Sequence, residues 1–259
     1  MNGRRLAMIL IFLLIASNHS PSTLDSPIGD AGSLPKTSAL DVLMLGNSYT
    51  NQNDLASILD SSLTDGGANA EVSALTGGGL KLYEHEGRAR ESGNQWNASL
   101  NEPNDFVILQ DQSQVPSFPT NSEYWQDSRD AAIYLNQRAL SSGGNTILFM
   151  TWGYKDGDSN NQWRNPDYPT MQLHLQQGYE MYLENITTQS EPAFIAPVGL
   201  AYKHLYDAIA NTGADPSAGS TPFSTLYSSD GSHPSIDGTY LSACVFHAVI
   251  TGESPVGRT

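Results

Sequence analysis

The chain has 259 residues, 27 acidic against 12 basic, and a formal charge of −15 at neutral pH. That charge excludes a nucleic-acid-binding face, which needs clustered Lys and Arg, and it repels anionic polymers. The single cysteine, Cys244, excludes an internal disulfide, so a chain of this length is expected to be held by its core.

Residues 1–20 read as a secretory signal peptide: Arg4 and Arg5 precede an apolar run from Leu6 to Ala16, and a polar stretch follows. The run is too short for a comfortable membrane span. Left uncleaved, it would act as an N-terminal anchor. Residues 21–38 are rich in Ser, Pro, Gly and Asp and read as a flexible linker. Residues 39–259 carry one uninterrupted alternation of strand and helix patterns, without an internal repeat. They are read as one domain.

The first strand is expected over about 41–45. It ends abruptly at Gly46-Asn47-Ser48. Glycine permits a sharp exit from a strand, and ligands bind at the carboxyl ends of strands in open α/β sheets. Ser48 is therefore placed like a nucleophile; read as a plain turn, Gly-Asn-Ser would instead leave Ser48 or Asn53 to cap the next helix. A helix should follow, capped by Asn53 or Asp54, with Leu55, Ile58, Leu59 and Leu63 on one face. Residues 70–75 alternate in polarity and read as an edge strand. Gly77-Gly78-Gly79 comes next, a loop whose bare N–H groups can approach a reacting oxygen. A polar helix is then expected from Leu80 to about Ser92.

Residues 105–109 are continuously apolar and read as a central strand. They lead into Gln110-Asp111-Gln112-Ser113-Gln114. A helix over 121–140 and a fourth strand over 146–150 follow. Residues 152–169 are irregular, rich in aromatics, carboxylates and amides, and suited to sugar rings and hydroxyls. Asp156, Asp158 and Asn160 have the spacing of a calcium loop, but the required glycine and bidentate Glu are absent, so no metal is expected. A helix marked by Met171, Leu175, Tyr179, Tyr182 and Ile186, a fifth strand over 193–198 and a helix around Ala201–Ile209 complete the alternation. Of the histidines here, His174 reads as a surface residue and His204 and His247 as structural. His85, in the helix after the glycine loop, is a weaker candidate for the site. Cys244 reads as a buried small hydrophobe.

Asp230-Gly231-Ser232-His233 precedes the last helix, expected over about 238–250. Ser48, His233 and Asp230 are the three residue types of a serine hydrolase: the imidazole takes the hydroxyl proton and the carboxylate orients the imidazole.

Gly46-Asn47-Ser48 near the start, glycines at 77–79 and Asp230-x-x-His233 near the end together resemble the SGNH (GDSL-like) hydrolase superfamily, over about 40–250. Within it the chain looks like a branch with a Gly-Asn-Ser-Tyr-Thr block and a Gln-x-Gln-Ser third block. The resemblance implies a three-layer α/β/α sandwich, flavodoxin-like, around a parallel sheet of about five strands. It also implies an oxyanion hole made by the N–H of Ser48, a glycine N–H from the 77–79 loop, with Gly78 preferred, and a side-chain amide. Family members usually supply that amide from an asparagine in a Gly-x-Asn-Asp block. Here Gln112 is the first candidate and Gln110 the second, because glutamine offers the same NH₂ donors. Asn47, Gln110 and Trp152 are assigned to substrate binding.

The expected function is a secreted, cofactor-independent carboxylic ester hydrolase, acting foremost on O-acetyl or other O-acyl esters of carbohydrates. Simple or lipid esters are the alternative substrates, and a non-catalytic glycan-binding module on the same fold is the alternative class. Phosphoester hydrolysis would want clustered metal ligands or a basic pocket, and the sequence has neither.

Overall fold

The structure, a computed structural model, describes residues 39–188 and 190–257. The signal-peptide and linker assignments, 1–20 and 21–38, lie outside the described residues.

Five strands form one sheet: β1 (Leu40–Gly46), β2 (Ala70–Thr76), β3 (Phe106–Leu109), β4 (Asn145–Phe149) and β5 (Phe194–Ala196). All neighbouring pairs are parallel, in the order β2-β1-β3-β4-β5. Leu45 lies level with Leu75 on one side and Leu109 on the other. The strand order reverses between β1 and β3, and at such a point loops diverge and leave a crevice.

Helices cover both faces. They are α1 (Ser48–Asn51), α2 (Leu55–Asp65), α3 (Leu82–Arg90), α4 (Gln95–Ser99), α5 (Glu123–Ser141), α6 (Tyr168–Ile186), α7 (Val198–Ala210) and α8 (Ile236–Thr251). Strand alternation divides the core. Val42, Met44, Ile108, Ile147 and Phe149 point toward α2, α7 and α8. Leu43, Leu45, Val107, Leu109 and Leu148 point toward α3, α5 and α6. Both faces being buried, the inner strands are apolar through their centres, at 42–45, 106–109 and 147–149. At the edge, β2 exposes Glu71, Ser73 and Ala74, hence its mixed pattern.

The expected three-layer α/β/α sandwich is the observed one. Its elements differ in detail. The fifth strand stops at Ala196 rather than 198, because Pro197 has no N–H for the ladder and instead precedes α7. The short helices α1 and α4 had no periodic signal, being four and five residues long. Cys244 is buried in α8, and burial pushes its thiol up to about 12.

One close approach ties the fold to the loops above the sheet. Gly178, inside α6, presses its backbone onto Pro116 in the turn Val115–Ser117 that follows β3. A Cβ there would overlap the Pro116 carbonyl oxygen. Gly178→Ala is expected to destabilise the protein by about 1–3 kcal/mol or more through overpacking. At roughly 2–4 °C per kcal/mol for a domain of this size, a thermal melt should show it, and an unchanged midpoint would contradict the contact.

Candidate active site

The nucleophile candidate sits on a tightly clamped turn. A Cβ on Gly46 would overlap Thr50 and come within 2.8 Å of Gln110 Oε1, so glycine alone lets those side chains close over the strand end. Asn47 then leaves the strand and caps α1, its Oδ1 accepting the N–H of Tyr49 at 3.1 Å. Ser48 is the first helical residue.

Asn47 and Gln110 clasp each other. The Asn47 N–H donates to Gln110 Oε1 at 3.0 Å, and Gln110 Nε2 donates to Asn47 Oδ1 at 2.7 Å. Thr50 Oγ1 donates to the same Gln110 oxygen, and Gln110 Nε2 also reaches the Asp111 carbonyl. Asn47 Nδ2 donates to the carbonyls of Leu80 and Asp111. Both amides are buried and fully used. The sequence-based assignment of Asn47 and Gln110 to substrate binding is thereby corrected: they hold the β1 and β3 loops together. Gln110→Ala leaves Asn47's N–H and Oδ1 without these partners. Urea unfolding should register a loss of about 2–3 kcal/mol or more, where a surface amide would register almost none.

The structure brings Ser48, His233 and Asp230 together across 185 residues of chain. Ser48 Oγ lies 2.9 Å from His233 Nε2, and His233 Nδ1 lies 2.6 Å from Asp230 Oδ2. Asp230 Oδ1 accepts the N–H groups of Ser232 and His233, each at 2.9 Å. Gly231, at φ 70°, supplies the left-handed turn that folds this loop back on its own carboxylate. Partial burial opposes ionisation of Asp230. The N–H of Ser232 and the ring and N–H of His233 outweigh it and hold the carboxyl below its usual range. With Nδ1–H directed at the carboxylate, Nε2 is the acceptor and the Ser48 hydroxyl the donor.

Behind the imidazole stands an aromatic stack. Trp152 is parallel to Tyr49 at 4.8 Å and to Tyr202 at 4.4 Å. Its Nε1 donates to the Ser232 carbonyl, the Tyr49 hydroxyl donates to Ser232 Oγ, and the Tyr49 ring meets His233 edge-on. Trp152 is fully buried. Its assignment to substrate binding is corrected: it braces the His233 loop. Tyr49 had no signal in the sequence beyond its place next to Ser48.

In the loop after β2, Gly79 has φ 66° and Gly78 is exposed. Among the described residues, the N–H groups of Ser48 and Gly78 donate to no protein acceptor. Gln112 behaves differently. Its Nε2 donates to Gln114 Oε1 and Ser113 Oγ, and its Oε1 accepts the Gln114 N–H. The expectation that it serves as third oxyanion donor does not match this conformation, in which its NH₂ group is turned into its own loop.

Asp111 anchors that loop from below. Fully buried, it accepts the N–H groups of Leu82 and Gln112 and the hydroxyls of Ser128 and Tyr182. Burial wins over those donors and pushes its carboxyl up to about 6. His85, entertained as a site residue, is buried beneath the strand end, accepting from Trp96 Nε1 at 2.8 Å. Burial, aided by Arg88, brings its imidazole down to about 4.

The irregular stretch after β4 is bolted down. Tyr154 bonds Ser113, Asp158 accepts from Gln114, Arg164 and Asn165 donate to Ser117, and the Lys155 N–H donates to the Gly231 carbonyl. It therefore bridges the β3 loop and the Asp230–His233 loop. The Asp158 carboxylate also takes the N–H groups of Asn160 and Asn161 and the Asn161 amide. These bonds satisfy it without a cation.

No protein-family model matches the chain, and no curated protein matches it in sequence. Solved structures do. A protein from Slackia heliotrinireducens, assigned by inference to the SGNH hydrolases, is 26% identical, with a TM-score of 0.63 over 82% of this chain and 100% of that one. A DUF4886 family protein from Bacteroides uniformis is 16% identical, with a TM-score of 0.63 over 86% of both chains. A mutant of an acetyl-xylooligosaccharide esterase from Geobacillus Stearmophilus is 13% identical, with a TM-score of 0.55 over 84% of this chain and 97% of that one. The chain has the fold of the SGNH hydrolases, and hydrolases and esterases are its structural neighbours.

Proposed function

We propose that this protein is a serine esterase that removes O-acyl groups, foremost acetyl, from carbohydrates outside the cytoplasm. The observation that carries the reading is the hydrogen-bonded series Ser48 Oγ, His233 Nε2, His233 Nδ1, Asp230 Oδ2. Ser48 attacks the ester carbonyl as His233 takes its proton. The tetrahedral oxyanion is received by the N–H groups of Ser48 and Gly78, donors that typically contribute about 3–4 kcal/mol each to the transition state. Collapse breaks the bond to the alcohol, whose oxygen takes the proton from His233. Water, deprotonated by His233, then frees the acid and restores Ser48. Asp230 stays ionised throughout and holds the imidazolium. Side chains and backbone N–H groups carry every step.

Support for a carbohydrate ester is of three kinds. One structural neighbour is named as an acetyl-xylooligosaccharide esterase. The loop after β4 is fixed by hydrogen bonds on both sides of the site, which suits an open cleft better than a lipase lid. Residues 1–20 have a secretory pattern, and acylated polysaccharides occur outside the cytoplasm.

The test is hydrolysis of p-nitrophenyl acetate, butyrate and octanoate, followed by acetate release from acetylated xylan. A fluorophosphonate should label the protein once, on the peptide containing Ser48. Acetate is expected to be the best of the three acyl groups. A well-folded protein that neither reacts with the label nor turns over any ester would turn the reading to a glycan-binding module.

A further inference from the structure

A groove of about 550 Å³ lies between the first turns of α2 and α8, lined by Asn53, Asp54, Ser57, Ile58, Ile236 and Tyr240 among others. We infer that this groove is the subsite for the sugar ring bearing the scissile ester oxygen, an inference that rests on the carbohydrate-ester reading above.

Position is the first argument. The groove is walled by the segments that leave the two reacting residues. Asn53 comes five residues after Ser48, and its Nδ2 donates to the carbonyl of Pro234, the residue after His233. Ile236 comes three residues after His233, so their Cα atoms are at most about 11 Å apart. His233 hands its proton to the leaving alcohol, so the body of that alcohol extends from the His233 side. The acyl oxygen points the other way, toward Ser48 and Gly78.

Chemistry is the second. Ile236 is 50% exposed, and with Ile58 and Tyr240 it makes an apolar floor. Above it stand the carboxylate of Asp54 and the hydroxyl of Ser57. The bonds from the Ser57 N–H and hydroxyl leave Asp54 with free lone pairs. A pyranose has the same division, with C–H groups on its face and hydroxyls on its rim. An anionic alcohol is disfavoured, because no Lys or Arg lines the groove and Asp54 does. The volume lies within the usual range for small-molecule sites and exceeds what an acetyl group needs.

Backbone strain is the third. Asn53 and Asp54 are the two non-glycine residues at positive φ among those described, 55° and 56°, and they are consecutive. Such conformations persist where the surroundings enforce them and cluster at ligand sites.

The experiment compares kcat/KM for a mono-acetylated xylo-oligosaccharide with that for ethyl acetate, whose alcohol ends short of the groove. It uses the wild type and two variants on different helices: Ser61→Trp, at a residue of α2 that also lines the groove, fills it from the rim, and Ile236→Asp charges its floor. The wild type is expected to prefer the sugar ester, and each variant to lower that preference by about tenfold or more, the discrimination an apolar contact carries. A preference retained within about twofold in a folded variant overturns the groove assignment and leaves the carbohydrate-ester reading standing. A wild type that does not prefer the sugar ester overturns that reading, and this inference with it. If one variant does not fold, the other decides.

Discussion

Ser48→Ala is expected to lower kcat on p-nitrophenyl acetate by about 10⁴-fold or more, with little change in KM. His233→Ala should lose about as much, and the double variant little beyond either one, because residues acting as a unit are non-additive. Asp230→Asn separates orientation from charge. Its side-chain oxygen can still accept from the Ser232 and His233 N–H groups, but the NH₂ replacing Oδ2 faces His233 Nδ1 across 2.6 Å. That donor forces the ring to present Nε2–H to Ser48, the wrong tautomer for a base. A loss approaching that of Ser48→Ala is expected, with an unchanged melting midpoint. Wild-type turnover in Ser48→Ala would end the proposed mechanism.

The second large effect is on stability against pH. Asp111 is held at about 6 and His85 at about 4, against about 3.9 and 6.5 in an unfolded chain. For Asp111 the folded state binds the proton more tightly. Its contribution is fully present below pH 4 and lost as pH rises through 6. His85 has the opposite sign: its contribution is present above pH 6.5 and lost as pH falls through 4. Each amounts to roughly 3 kcal/mol over nearly the same window, so the two offset each other. His174, also lowered by burial, adds to the direction of His85. The wild type should therefore change little in stability between pH 6.5 and 4. In Asp111→Asn it should fall by about 3 kcal/mol over that range, and in His85→Gln rise by a similar amount. Urea midpoints at four or five pH values are enough, and three parallel curves would refute the offset.

The fold was legible because its inner strands are buried on both faces. Leu43 and Met44 point to opposite layers, yet both are apolar, and that continuity identified β1 and β3. The edge character of β2 was equally readable from Glu71 and Ser73. Residue types and order singled out Ser48, Asp230 and His233, and the structure places them in one hydrogen-bonded series. The surrounding roles were not legible. An asparagine beside a nucleophile looks the same in sequence whether its amide faces a substrate or a backbone carbonyl. Asn47 and Gln110 turned out to face each other, and Trp152 to lie inside an aromatic stack. Gln112 has the donors an oxyanion needs, but the chain uses them on Gln114. Asp111, a charge with no cation beside it, gave no sign of burial, because its partners come from three distant segments: Leu82, Ser128 and Tyr182.

The separation of 185 positions between Ser48 and His233 also sets an order of events in the life of each molecule. During synthesis the serine emerges long before its base, and four of the five strands and most of the helical layers are made in between. On the proposed mechanism, a nascent or truncated chain carries an unactivated hydroxyl and hydrolyses nothing. On that mechanism the first turnover would report that the closing loop has docked, and activity would serve as a clock for the completion of folding.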